Sequence, residues 1–257
     1  MRIILTNDDG IFAAGLTELA KALYRAGHEL LIAAPDSDRS CVSHSLVLRQ
    51  PLFAEKTVIP GLEGVKAYAI NGTPCDCVRL AVGNLGFDPD VIVSGINIAA
   101  NLGSDAVYSG TVSAAIEGFM IDVPSIAVSK DKFTADHMED AAGYFAEKLP
   151  ELMEFFSEGP AMLNVNIPNT PRSEYKGVRA ARVKLQCYET KYNEEVLPDG
   201  RTAYTVKPGK LTVCDPGEDT DEGRMREGYV VITPLTYDIT DYSRLGRAKT
   251  MFERNAE

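Results

Sequence analysis

Short apolar runs alternate with segments of helical period through the first 130 residues, and that alternation leaves few folds open. Residues 2–6 are apolar and end at Asn7, Asp8, Asp9 and Gly10. Leu16, Leu19, Ala20 and Leu23 then recur at helical spacing, and Gly27 closes that helix. Residues 30–34 form a second apolar run, stopped by Pro35, and residues 65–70 form a third. Pro74 opens a helix that continues to Val82. Residues 90–93 read as a strand, 111–120 as a helix and 124–128 as a strand. Strands that alternate with helices pair in parallel through right-handed crossovers. Strands apolar on both faces belong to a sheet covered by helices on both sides. The expected fold is α/β: a three-layer, doubly wound, mostly parallel sheet of Rossmann-like type.

Residues 136–156 continue this style as a longer helix. Ala141, Tyr144, Phe145, Leu149, Leu152 and Met153 fall on one face. Residues 162–167 read as a further strand. Residues 184–227 then mix Tyr, Lys, Glu, Pro, Gly and Asp with little period. A structureless stretch of that length is uncommon inside a compact domain, so an extended arm or hairpin that packs on another subunit is expected there. Residues 228–234 read as a return strand. The division that follows is 1–183, an α/β core, and 184–257, an oligomerising arm with the return strand and C-terminal segment.

Composition narrows the function classes. Of the 257 residues, 45% are hydrophobic, enough for a sizeable core, and 26 basic side chains face 37 acidic ones, a net charge of −11. A chain this acidic lacks the basic surface that tracks a nucleic-acid polymer. A small anion remains admissible where a bound divalent cation reverses the local field. Five scattered cysteines do not form a disulfide framework. The first residues lack the features of a secretory signal, and no apolar run reaches the roughly 20 residues of a membrane span. A soluble, cytoplasmic protein is expected.

In an open parallel sheet, ligands bind beyond the carboxyl ends of the strands. Three polar clusters fall at such ends. In the first, Asp8 and Asp9 are adjacent carboxylates that a hard divalent cation would reconcile, and Gly10 permits the tight turn. A plain helix cap accounts for either aspartate equally well. The second, residues 36–45, is rich in hydroxyls; Ser40 suits an all-oxygen shell, and an ordinary polar loop is the simpler reading. The third, residues 94–111, offers the neutral oxygen of Asn97. In it, Ser109, Gly110 and Thr111 precede a helix whose first amides suit a phosphate, although a simple N-cap uses the same geometry.

Other features carry less. The Cys75-x-Cys77 spacing fits neither zinc nor thioredoxin sites, so both thiols are expected to be buried. His44 is expected to be a satisfied or exposed loop histidine rather than a substrate contact. Residues 215–222 read as a solvated acidic loop. No Gly-x-Gly-x-x-Gly follows the first strand and no Gly-x-Ser-x-Gly elbow is present.

Taken together, Thr6-Asn7-Asp8-Asp9-Gly10, Ala34-Pro35 with Arg39-Ser40, and Ser94-Gly95-Ile96-Asn97 with Asn101, Gly103 and Tyr108-Ser109-Gly110-Thr111-Val112 resemble the motifs of the SurE family. Gly72-Thr73-Pro74 with Asp76-Cys77-Val78, and Gly228-Tyr229-Val230 with Ile232-Thr233-Pro234-Leu235, extend the resemblance in order along nearly the whole chain. The resemblance implies one divalent cation per subunit, Mn2+ or Mg2+, held by Asp8, Asp9, Ser40 and Asn97, with Asp8 and Asp9 also serving catalysis. It implies phosphate contacts at Asn101, Ser109, Gly110 and Thr111. It further implies a 5′-nucleotidase, with 3′-nucleotides and short polyphosphate as side substrates, and homodimers or homotetramers that exchange C-terminal arms. Two positions depart from the pattern: Cys41 and Ala99 stand where the family usually has glycine. A non-catalytic nucleotide-binding or assembly protein on the same fold is the alternative. A covalent aspartyl-phosphate mechanism is disfavoured because Gly10 stands where the second carboxylate would be needed.

Overall fold

The architecture is that of a computed structural model, which describes residues 1–188, 191–207, 211–213, 217 and 219–253. The first strand, β1 (Arg2–Thr6), leads through Gly10 into helix α1 (Ala14–Arg25) and strand β2 (Glu29–Pro35). A short, half-exposed strand β3 (Ala54–Thr57) precedes β4 (Lys66–Ile70). Helix α2 (Pro74–Gly83) starts at a reciprocal cap: Thr73 Oγ1 accepts from Asp76 N at 3.2 Å and Asp76 Oδ2 accepts from Thr73 N at 2.9 Å. Strand β5 (Val91–Asn97) is followed by helix α3 (Gly110–Met120), β6 (Ser125–Lys130), helix α4 (Met138–Glu154) and β7 (Met162–Ile167).

Strand β8 (Val178–Ala180) opens the C-terminal third. Short strands β9 (Gln186–Tyr188), β10 (Lys191–Val196), β11 (Thr202–Lys207) and β12 (Leu211–Val213) follow, then helix α5 (Asp221–Arg226), β13 (Val230–Leu235) and helix α6 (Tyr242–Phe252).

Nine strands form one sheet in the order β3-β4-β2-β1-β5-β6-β7-β13-β8. Pairing is parallel from β4 to β7; β3 against β4 and β13 against β7 are antiparallel. Successive side chains of a strand feed opposite layers. Ile3 and Leu5 pack with Leu16, Leu19 and Leu23 of α1 and Phe145 and Leu149 of α4, whereas Ile4 between them packs with Cys77, Val78 and Ala81 of α2 and Ala114 of α3. The expected doubly wound α/β fold is the one observed. The chain runs from β1 outward to β2 and returns to β5 on the other side, so the order reverses between β1 and β5. That reversal is where such sheets bind ligands.

The expected hairpin is present as β10 paired antiparallel with β11, and β9 pairs with β12. The return strand is β13, which is built into the core sheet between β7 and β8. One expectation fails. Residues 215–222 are not a solvated loop throughout: Asp221 is fully buried and accepts from the amides of Gly103 at 2.7 Å, Glu222 at 2.8 Å and Lys184 at 3.0 Å. Three amide donors compensate the burial of that carboxylate; Asp215, Pro216 and Glu218 lie outside the described residues. Cys75 and Cys77 are buried free thiols, as expected, Cys41 and Cys187 are exposed free thiols, and Cys214 lies outside the described residues. Among the described residues, no helix is long and apolar enough to cross a membrane.

Candidate functional site

The switch point carries a cleft of about 570 Å³ lined by Asp8, Asp9, Asp38, Ser40, Asn97, Asn101 and Ser109, among others. The four oxygen-bearing side chains expected to share a cation therefore face one hollow, from three separate loops. Gly10 has φ +105°, a left-handed conformation open to glycine, and its amide accepts no compromise: it donates to Asn7 Oδ1 at 3.2 Å while Asn7 Nδ2 donates to Gly10 O at 2.9 Å. That turn points the two aspartates into the cleft.

Asp8 is almost fully buried. Thr111 donates its hydroxyl to Asp8 Oδ1, and the Thr111 backbone also bonds this carboxyl. Burial nevertheless dominates and raises its pKa above the ordinary carboxylate range. A Cβ on Gly110 would lie 2.8 Å from Asp8 Cβ and 2.9 Å from Asp8 Oδ2, so only glycine admits this approach of α3 to the carboxylate. Asp9 is pushed up to about 7 by burial first and then by the charges of Asp8 and Asp38; a backbone bond from Ile98 offsets part of the rise. Asp9 Oδ2 is buried with no hydrogen-bond partner.

Ser40 and Asp38 form a small unit. Ser40 donates its amide and its hydroxyl to Asp38 Oδ1, at 2.8 and 2.6 Å. Arg39 N donates to Asp8 O at 2.7 Å and Ser43 N to Tyr108 O at 3.1 Å, which ties this loop to the other two. Asn97 donates Nδ2 to Ala99 O at 2.7 Å, and among the described residues no donor addresses its Oδ1. Cys41 has φ +57°, in the left-handed region; Ala99 does not.

The residues expected to hold phosphate divide into two pairs. Asn101 and Ser109 line the cleft, while Gly110 and Thr111 stand behind Asp8. Ser109 Oγ caps α3 by accepting from Val112 N at 3.1 Å. Asn101 is held rigidly: its Nδ2 donates to Ser129 Oγ at 2.7 Å, its amide to Asn166 Oδ1 at 2.9 Å, and its carbonyl accepts from Asn164 Nδ2 at 2.8 Å. Sequence reasoning missed Asp38, Asn164 and Asn166. The signal for the last two was present as paired asparagines at alternate positions of the otherwise apolar strand β7.

A second group of metal-competent atoms lies nearby. His44, Cys75 and Glu117 each offer one atom within 4.8 Å of the others. Both Glu117 oxygens are already engaged: His44 Nε2 is 2.6 Å from Oε2, and Arg79 Nε donates to Oε1. Burial by itself pushes Glu117 up, but the bonds from His44 and Arg79 outweigh it and hold its pKa below the usual range. Burial, with the charges of Glu117 and Asp76, pushes the Cys75 thiol far up, so it is not a ready thiolate. The arrangement is a hydrogen-bonded tether from the Ser40 loop to α3, with Arg79 of α2 paired to the same carboxylate, and His44 is the satisfied histidine expected.

The fold and cleft define a doubly wound α/β protein with an acidic, oxygen-donor site at the switch point of its sheet. Comparison with known proteins specifies it further. The family described as "Survival protein SurE" matches residues 3–190. A protein named 5′-nucleotidase SurE from Desulfitobacterium hafniense is 44% identical over 250 residues, 95% of this chain and 94% of that protein. Another of that name from Synechococcus elongatus is 41% identical over 255 residues, 96% of this chain and 98% of that one. The crystal structure of the SurE protein from Aquifex aeolicus superposes with a TM-score of 0.81 at 33% identity, covering 98% of this chain and 99% of that one. The chain belongs to the SurE family.

Proposed function

We propose that this chain is a 5′-nucleotidase that hydrolyses nucleoside 5′-monophosphates to nucleoside and phosphate, with one divalent cation held by Asp8, Asp9, Ser40 and Asn97. The observation that carries the ion is the Asp8–Asp9 pair. Burial raises the pKa of both carboxylates, the charges of Asp8 and Asp38 raise Asp9 further, and Asp9 Oδ2 has no donor to satisfy it among the described residues. A cation supplies the missing charge. The donor set of two carboxylates, a hydroxyl and an amide oxygen is all oxygen and suits a hard ion such as Mn2+ or Mg2+. When bound, such an ion offsets phosphate charge and acidifies water. The name shared by the relatives specifies the substrate class.

The chain's own groups then have distinct tasks. Thr111 fixes Asp8, so Asp9 is the freer carboxylate and its Oδ2 takes the proton of the attacking water. The water oxygen bonds to phosphorus, the bond from phosphorus to O5′ breaks, and the proton that Asp9 took from the water passes to O5′, which leaves as the hydroxyl of the nucleoside. Asn101 and Ser109, on the cleft wall, bind phosphate oxygens. Gly110 and Thr111 act one step back, by holding Asp8.

Self-association through the C-terminal segment belongs to the same reading. Tyr204 and Val206 of β11, and Ile239, Tyr242 and Phe252 in and before α6, are exposed apolar side chains on elements that add little to the core. A homodimer or homotetramer that exchanges these arms would cover them. Free thiols at the four described cysteines suit a cytoplasmic setting. The test is phosphate release from AMP with Mn2+, with Mg2+ and with EDTA, for the natural chain and Asp9→Asn. Release that needs the ion and falls at least about 100-fold in the variant is expected, as for removal of a group in general acid–base chemistry. Full release in EDTA, or from the variant, would overturn the assignment.

A further inference from the structure

The acidic cleft does not end at the carboxylates. A second hollow of about 440 Å³ adjoins it, and the two share Ala99, Ala100, Asp105 and Phe133 as common walls. Each volume is within the range of small-molecule sites. Phe133 is 83% exposed, a large apolar surface left to solvent, and it stands where the two hollows meet.

The chemistry of the second hollow is unlike that of the first. Leu102 and Met225 contribute apolar wall. Its charges are Lys132 and Arg226 against Asp105, Asp131 and Glu222, and Arg226 is paired with Glu222, so the hollow has no excess of positive charge to hold a second phosphate. It does hold an amide with spare capacity: Gln186 is 8% exposed, lines this hollow, and its Oε1 has no hydrogen-bond partner. A planar, neutral group with hydrogen-bonding edges and an apolar face fits these walls, and a charged chain of phosphates does not.

We propose that this second hollow is the leaving-group subsite, that it takes the nucleobase of the substrate, and that Phe133 is the side chain on which the base stacks, with Gln186 addressing its edge. This rests on the reading of the first hollow as the phosphate end. A base–aromatic stack is sequence-tolerant because every base has a π-face, so Phe133 raises affinity for nucleotides in general, and the Gln186 amide supplies what discrimination there is.

The experiment compares the natural chain with Phe133→Ala and Phe133→Trp. Two quantities are read: calorimetric binding of adenosine to the ion-free protein, and the ratio of kcat/KM for AMP to that for ribose 5-phosphate, which carries the same phosphoester without a base. In Phe133→Ala, adenosine binding weakens by about tenfold and the AMP preference falls by a similar factor, through KM rather than kcat; Phe133→Trp restores both. Unaltered adenosine binding and an unaltered preference in Phe133→Ala would overturn the proposal. Should the natural chain cleave neither phosphoester while Phe133→Ala still loses adenosine, the base subsite stands and the proposed activity falls.

Discussion

Thr111, the second residue of α3, donates its hydroxyl to Asp8 Oδ1 across 103 residues of sequence. The bond holds one carboxylate oxygen, and the other lies against Gly110, where only glycine leaves room for it. At the N-terminus of α3, Gly110 and Thr111 pack against this carboxylate, while the cap residue Ser109 lines the cleft itself.

Thr111→Val keeps the shape of the side chain and removes the donor. A hydrogen bond to a charged group is worth about 1.5–3 kcal/mol, so kcat/KM for AMP falls about 10- to 100-fold. Steady-state kinetics on the variant, with its folding checked by thermal melting, makes the measurement. Thr111→Ser, which retains a hydroxyl, recovers most of the loss.

Asp9 sets a pH dependence of stability in the ion-free protein. Its pKa is 3.8 ordinarily and about 7 in the fold, so between those values the folded chain holds a proton that the unfolded chain has released. Stability therefore falls as pH rises from about 4 to about 7 and is flat on this account outside that window. Each pKa unit is worth about 1.4 kcal/mol, and solvent in the cleft screens part of it, so the drop is on the order of 2 kcal/mol. Urea unfolding at several pH values in EDTA shows the slope. Asp9→Asn removes the share that Asp9 contributes, leaving that of Asp8, and added Mn2+ opposes the fall by binding the ionised form.

Cys41 occupies a left-handed conformation at φ +57°. A side chain there costs about 1 kcal/mol relative to glycine. Cys41→Gly raises the melting temperature by roughly 2–4 °C for a chain of this size, an effect read by calorimetry. The structure predicts no such gain for Ala99→Gly, because Ala99 has no positive φ.

The sheet and the convergence of three loops were legible in the sequence because both follow from local period and from the rule that polar clusters gather at strand ends. Asp8, Asp9, Ser40 and Asn97 fall together for that reason. What escaped depends on contacts between distant segments. Spacing around Ser109-Gly110-Thr111 could not separate a cap from a phosphate site; in the fold Ser109 caps and Thr111 serves Asp8. Asp221 read as one more acid in a polar stretch because its three amide donors come from Gly103, Lys184 and its own neighbour Glu222. Strand β3 and helix α6 bury nothing or little, so they lack the apolar period by which elements are found.

The measurement closest to the centre of the account is Mn2+ binding by calorimetry to the natural chain, to Asp9→Asn and to Cys75→Ala. One ion per chain is expected for the natural protein and for Cys75→Ala, with affinity reduced at least about tenfold in Asp9→Asn, as loss of a carboxylate ligand requires. An ion that persists in Asp9→Asn and disappears in Cys75→Ala would place the metal at His44, Cys75 and Glu117 instead, and the account of the cleft would be wrong.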